Sequence, residues 1–271
     1  MVLEKFNLVI AFKLSSIILS VGLVFDTLNF FLKKELYSDT VGLFQYDKLI
    51  HDKRKYFKNI YQRLPYLFSF KGYFALMIIR LICLLLLLLS FHWSLFLLLF
   101  IIQLIFNLRN IYSLSGADQM QNIILFGLLI ISFNINSNIA SLTVFFISVQ
   151  MLLSYFFTGF HKIKSKKWRN GDALLLVLNS ETFGNSTFQK LLYNNKFISI
   201  IISWVIILVQ LSFIIVLFIN PQLTVYFLTI LFLFHLSIAF SMGLNHFFWV
   251  FVSSYPIIYY LSKNSLWNYL F

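Results

Sequence analysis

The feature that most limits how this chain can fold is a succession of apolar runs, most of them close to the length that crosses a bilayer. Crossing roughly 30 Å of hydrocarbon takes about 20 apolar residues, because each backbone N–H and C=O must be hydrogen-bonded inside the protein there. Of the 271 residues, 60% are hydrophobic and only 11% are charged, so no water-soluble core could bury the apolar surface. We therefore predict an integral membrane protein.

The runs predict an all-α fold: a polytopic bundle of about eight transmembrane helices in a single domain over residues 1–271. The fourth run is short, and we interpret it as a tilted or half-buried helix beginning near Asp118, which leaves seven crossings as the alternative. In chain order the predicted spans are Leu8–Leu32, Tyr73–Ser90, Trp93–Arg109, Asn122–Phe133, Ile139–Phe160, Phe197–Ile219, Leu223–Gly243 and Phe247–Leu261.

Two longer polar segments interrupt the apolar pattern. The first, Lys33–Lys71, mixes basic and aromatic residues, and we expect an amphipathic helix on the bilayer surface that attracts anionic head groups. The second, His161–Lys196, begins with a basic run and continues into a weakly apolar piece that is too short to span. That piece predicts a re-entrant or interfacial segment.

The basic residues also indicate an orientation. With eight helices, seventeen of the 21 Lys and Arg residues fall on one side of the membrane. The positive-inside rule then places both polar segments in the cytoplasm and both chain termini outside. Orientation and anionic lipids already account for the net charge of +12, so we predict no nucleic-acid partner.

Ionisable side chains inside apolar spans are the first places to look for a site, because each of them needs a partner or water. We interpret Lys13 and Arg80 as snorkelling toward an interface. Asp26 suits either a structural pairing with a basic residue or a functional role. His235 can donate, accept or titrate, with a simple interhelical hydrogen bond as the alternative. The spacing of the histidines and the lone Cys83 predict no metal site.

Two blocks of sequence carry a family resemblance. The first runs from Tyr155 to Leu174 and contains Gly159, Lys162, Trp168 and Gly171; the second runs from His235 to Pro256. In the first helix, a basic residue also precedes an aspartate by 13 positions. Together these features resemble the horizontally transferred transmembrane domain family, which contains the membrane part of vitamin K-dependent gamma-carboxylase and the bacterial sporulation-delaying-protein B family.

The resemblance implies three functions. The length of 271 residues fits the shorter bacterial branch, which implies a protein of the bacterial cytoplasmic membrane that assists the maturation or export of a small secreted peptide toxin, together with partner proteins. A gamma-carboxylase-type enzyme, with Lys162 as base and a quinone or other lipid-soluble cofactor, is the first alternative. Two observations argue against carboxylation. This chain has Asn122 near the position where the carboxylase has a histidine. The loop with Lys162 is predicted to be cytoplasmic, whereas the carboxylase performs its chemistry on the luminal face. A receptor or immunity protein for such a peptide is the second alternative.

Whether the protein is an enzyme therefore stays open at this point. The candidate catalytic residues are Lys162 and His235. The candidate binding residues are Asp26, Asn122, His161, Trp168, Gly171, Gln210 and Trp249.

Overall fold

Helices make up the ordered elements of the chain. The computed structural model describes residues 6–40, 44–51, 55–111, 113–180, 184–218 and 221–264, and no strand occurs in these ranges. In chain order their α-helices are α1 (Leu8–Leu32), α2 (Tyr46–Ile50), α3 (Lys55–Arg63), α4 (Pro65–Phe68), α5 (Phe70–Leu89), α6 (Trp93–Arg109), α7 (Gly116–Phe133), α8 (Asn138–Lys164), α9 (Lys166–Arg169), α10 (Asp172–Leu178), α11 (Ser186–Asn194), α12 (Lys196–Ser212), α13 (Pro221–Met242), α14 (Asn245–Ser253) and α15 (Tyr255–Lys263). The all-α prediction is confirmed.

Six helices of the described ranges are long and apolar enough to cross a bilayer. They are α1, α5, α7, α8, α13, and α12 with its 3-10 continuation to Val216; α6 is equally apolar but has 17 residues. These seven correspond to the first seven predicted spans, although the predicted end of the sixth at Ile219 lies outside the described residues. The chain is thus a multi-pass membrane protein with a helical bundle.

The fourth predicted span is longer than its apolar run. Helix α7 begins at Gly116, where Ser115 and Asp118 form a capping box: the Ser115 hydroxyl accepts from the Asp118 N–H, and the Asp118 carboxylate accepts from the Ser115 N–H. This reciprocal cap satisfies two N–H groups that the helix itself cannot bond. The polar first turn therefore belongs to the helix, as the alternative start near Asp118 anticipated, and α7 reaches 18 residues.

The prediction of an eighth continuous span, Phe247–Leu261, is wrong. The segment forms two helices, α14 and α15, of 9 residues each, with a break at Ser254. Pro256 in the first turn of α15 has no N–H to continue the hydrogen bonds of α14 across the break. Nine residues at 1.5 Å each reach about 14 Å, so neither helix crosses the hydrocarbon alone.

The contacts divide the chain into two compact units. One comprises residues 1–18 and 136–271, and the other comprises residues 19–135; α1 contributes to both. In the first unit, Lys263 at the end of α15 donates to the carbonyl of Phe6 at 3.2 Å, so the end of α15 and the start of α1 are adjacent. The prediction that both chain termini lie outside stays a prediction. The prediction of a single domain stays a prediction.

Both polar segments contain short helices. In the first, a 3-10 turn (Lys34–Tyr37) precedes α2, α3 and α4, and α3 is amphipathic: Tyr61 is fully buried while Gln62 and Arg63 are exposed. Lys53 and Arg54, which belong to the predicted basic surface, lie outside the described residues. In the second, α9, α10 and α11 are all too short to span, as predicted.

The first polar segment is fixed to the end of α6 by two side chains. Tyr61 donates its hydroxyl to the carbonyl of Leu108 at 2.8 Å. Buried Arg109 donates from Nη2 to the carbonyl of Tyr37 at 2.8 Å and lies 3.9 Å from the Asp39 carboxylate, which in turn accepts from the N–H of Phe70. Described residues of the segment between α1 and α5 therefore pack against the end of α6 in the unit of residues 19–135.

We predict that Gly72→Ala destabilises the protein by about 1–3 kcal/mol, because overpacking that displaces the backbone is costly. A Cβ at Gly72 would lie 1.7 Å from the backbone oxygen of Tyr66, so α4 and α5 would have to separate. Gly116→Ala is the control, since a Cβ there meets no heavy atom within 4 Å. Thermal unfolding of the detergent-solubilised variants measures the difference, and equal midpoints for the two would contradict the close approach.

Candidate functional site

Lys162 lies at the end of α8 and is held by two groups. Its Nζ donates to Oε1 of Gln210 on α12 at 3.0 Å and lies 4.9 Å from the ring centroid of Trp168 on α9. An amide oxygen and an aromatic face both stabilise an ammonium group. Three of the residues predicted for the site, Lys162, Gln210 and Trp168, are thus in direct contact. The ammonium group of Lys162 is held there at the end of a membrane-spanning helix.

Gly159 explains why α8 and α12 come close enough for that contact. A Cβ at this position would lie 3.0 Å from Cγ of Leu211 and 3.1 Å from Cβ of Gln210. Any larger residue would push α12 away, and small residues at helix interfaces are how membrane helices approach one another. The glycine of the first sequence block therefore serves the Lys162 contact.

Gly171 connects the second polar segment to α12. It has a left-handed backbone (φ +76°), and a Cβ there would meet the backbone nitrogen of Ile200 at 2.9 Å. Its carbonyl accepts from the Ser199 hydroxyl at 2.7 Å, and the following Asp172 forms an ion pair with Lys196. Gly171 is thus a packing residue that positions the segment after Trp168. His161 is exposed, and its ring contacts that of Phe160.

His235 lies buried in the middle of α13 and forms a hydrogen bond with a residue that the sequence reasoning did not single out. The distance between its Nε2 and the hydroxyl of Tyr155 on α8 is 2.5 Å. The imidazole stacks on Phe251 of α14 with centroids 4.7 Å apart, and Tyr155 meets Phe213 edge to face, also at 4.7 Å. Tyr155 precedes Lys162 by seven residues, two helical turns, and that spacing is the signal that could have identified it.

The two contact sets lie along the same face of α8. Tyr155, Gly159 and Lys162 follow one another at intervals of four and three residues, so they share one helix face over about 10 Å. Their partners Gln210 and Phe213 are likewise three residues apart, at the end of α12 and the start of the 3-10 turn Phe213–Phe218. Trp249, also predicted for the site, lies on α14, where its ring meets that of Phe248.

Asp26 and Asn122 belong to the other unit. Arg80 is 2% exposed, so the interpretation that it snorkels to an interface is wrong. Its guanidinium lies 5.5 Å from the ring centroid of Phe106. Burial, followed by the charge of Asp26, raises the pKa of Tyr37 to about 12.

Three buried amide side chains of this unit are linked by two hydrogen bonds, one of which joins α7 to α6. Gln121 donates to Oε1 of Gln103 at 3.3 Å, and Gln103 donates to Oδ1 of Asn107 at 3.0 Å. Oδ1 of the neighbouring Asn122 is buried and has no hydrogen-bond partner among the described residues. Asn122 therefore borders a polar helix interface, and its free acceptor suits a donor from a ligand or from water.

Comparison with known proteins leaves the function to be argued from these contacts. No protein-family model matches the chain, no curated protein matches its sequence, and no solved structure matches its fold. The resemblance to the horizontally transferred transmembrane domain family stays a prediction. Within the described ranges, no three His, Cys, Asp or Glu residues come together as they would in a metal site.

We predict that Tyr155→Phe destabilises the protein by about 1–3 kcal/mol, because it leaves a buried imidazole nitrogen without its partner. In a His235→Leu background the imidazole is absent, so Tyr155→Phe should lower the free energy of unfolding by less. The difference between the two backgrounds should be about 0.5–3 kcal/mol. Tyr226→Phe is the control, since Tyr226 is 68% exposed. Thermal unfolding of the four variants and the parent measures these terms; strictly additive losses would refute the hydrogen bond.

Proposed function

We propose that the protein assists the maturation or export of a small secreted peptide toxin in a bacterial cytoplasmic membrane, together with partner proteins. The observation that supports this most is the contact between the two sequence blocks that carry the resemblance. The first residue of one block, Tyr155, is hydrogen-bonded to the first residue of the other, His235. Residues 80 positions apart in the chain thus form one buried contact, as expected if both blocks serve the same site.

The contacts of Lys162 suit a binding role. Its hydrogen bond to Gln210 and its contact with the Trp168 ring both hold the ammonium group in place. A held ammonium group at the end of a membrane span suits recognition of a carboxylate or carbonyl of a peptide. The alternative in which Lys162 is the base of a quinone-linked carboxylase stays a prediction.

The exposed basic residues around Lys162 are consistent with a site that a charged peptide approaches from the membrane surface. Lys164, Lys166, Lys167 and Arg169 are all exposed at the end of α8 and on α9. Clustered cations raise the encounter rate with an acidic partner and lose this effect at high ionic strength. The peptide would then meet the surface cations first and Lys162 afterwards.

We predict that deletion of the gene abolishes active extracellular peptide while the precursor persists, and that Lys162→Ala fails to restore it. Losing a charge-assisted hydrogen bond should lower active peptide about tenfold or more. Growth inhibition of a sensitive strain by the culture supernatant measures the active peptide, and mass spectrometry of the cells measures the precursor.

Lys164→Ala is the matched control. Lys164 is two residues away, exposed, and lies over the Phe160 ring, so its replacement removes the same charge from the same helix end without touching Gln210. Membrane levels of the complementing variants are compared by immunoblot. Normal active peptide in the deletion strain would refute the proposed function, and equal effects of the two lysine variants would refute the role of Lys162.

A further inference from the structure

A groove of about 480 Å³ opens on the unit of residues 19–135. Its volume lies within the range of small-molecule sites. It is lined by residues from the turn after α1 and from the first two turns of α5: Lys34, Glu35, Ser38, Asp39, Phe70 and Phe74. No residue predicted for the functional site lines it.

The groove lies at the level of the lipid head groups. Helices α1 and α5 both qualify as membrane spans, and the groove residues directly follow the end of α1 at Leu32 and begin α5 at Phe70. The ends of spanning helices meet the interface between hydrocarbon and water, where phospholipids carry their charged groups. A lipid is therefore the molecule that this groove meets at the highest local concentration.

The groove carries charges of both signs. Lys34 and Glu35 are exposed, and Asp39 is 40% exposed. Behind Asp39 lies the buried guanidinium of Arg109, whose Nε and Nη1 have no hydrogen-bond partner within the described part of the chain. The lining thus carries one cation and two carboxylates, and a second cation, Arg109, lies beside Asp39. A purely anionic or purely cationic ligand would therefore leave charges of its own sign nearby. A zwitterionic ligand matches both signs.

The apolar wall of the groove completes the match to a lipid. Phe70 and Phe74 are half-buried, and Phe74 belongs to an aromatic group with its ring centroid 5.3 Å from that of Phe31 and 6.2 Å from that of Phe30. Such a surface suits the glycerol and the upper acyl carbons, and aromatic rings also favour a nearby ammonium group.

We propose that this groove binds one phosphatidylethanolamine molecule by its head group. The ammonium group donates to the carboxylates of Glu35 and Asp39, while the phosphate accepts from Nζ of Lys34. Ethanolamine is preferred to choline because its ammonium group has three N–H donors for the two carboxylates and choline has none. The inference is independent of the proposed function, since it uses other residues in the other unit.

The test is lipid retention measured by native mass spectrometry. The full-length protein is delipidated in detergent and offered equal amounts of phosphatidylethanolamine, phosphatidylcholine and phosphatidylglycerol with identical acyl chains. Phosphatidylethanolamine should be retained about tenfold over each of the other two lipids. Phosphatidylcholine has no N–H donor for the carboxylates, and phosphatidylglycerol has no ammonium group to balance its phosphate. Glu35→Gln and Lys34→Gln should each abolish that preference.

Asp47→Asn and Lys48→Gln are the matched controls, because both residues are exposed on α2 within the same polar segment and outside the groove. They should leave the preference unchanged. Equal retention of the three lipids, a preference for phosphatidylglycerol, or loss of the preference in all four variants would overturn the proposal. Displacement of the lipid by millimolar soluble phosphoethanolamine would overturn the assignment to a lipid rather than to a free head group.

Discussion

The constraint on which the rest of this structure depends is that polar groups in hydrocarbon must find their partners inside the protein. A chain with 60% hydrophobic residues has few such groups, and several of them bond to one another between described helices. His235 bonds to Tyr155, Gln121 to Gln103, and Lys162 to Gln210. Since lipid tails are as apolar as the helices' own surfaces, these hydrogen bonds and close packing, rather than a hydrophobic drive, select which helices associate.

Helix α8 is the element that concentrates this effect in the first unit. One of its faces offers a buried tyrosine, a glycine and a lysine within about two turns. The glycine brings α12 close, and the two polar residues then find partners on α12 and α13. Polar groups at membrane depth cost free energy unless they are satisfied, and their contacts fix the helices around this face. For that reason we place the proposed site there.

The polar segments have a different physical task. They lie where spanning helices end, and their short helices are ordered by contacts to those ends, as Tyr61 and Arg109 show for the segment after α1. Ordering them builds surfaces at head-group depth in which charges and aromatic rings occur together. The groove beside Lys34 and the basic surface beyond Lys162 are two such surfaces, and they belong to different units.

The sequence by itself determined the all-α membrane fold and the first seven helices, because a run of about 20 apolar residues has no other stable state in a bilayer. It also identified Lys162, Trp168 and Gln210 as residues of interest. It missed the break at Ser254, since hydropathy does not register the hydrogen bond that Pro256 cannot make. It missed Tyr155 as the partner of His235 and the burial of Arg80, because both depend on which helix faces lie together. Helix pairing is decided by packing over long chain separations, and only the tertiary structure contains that information.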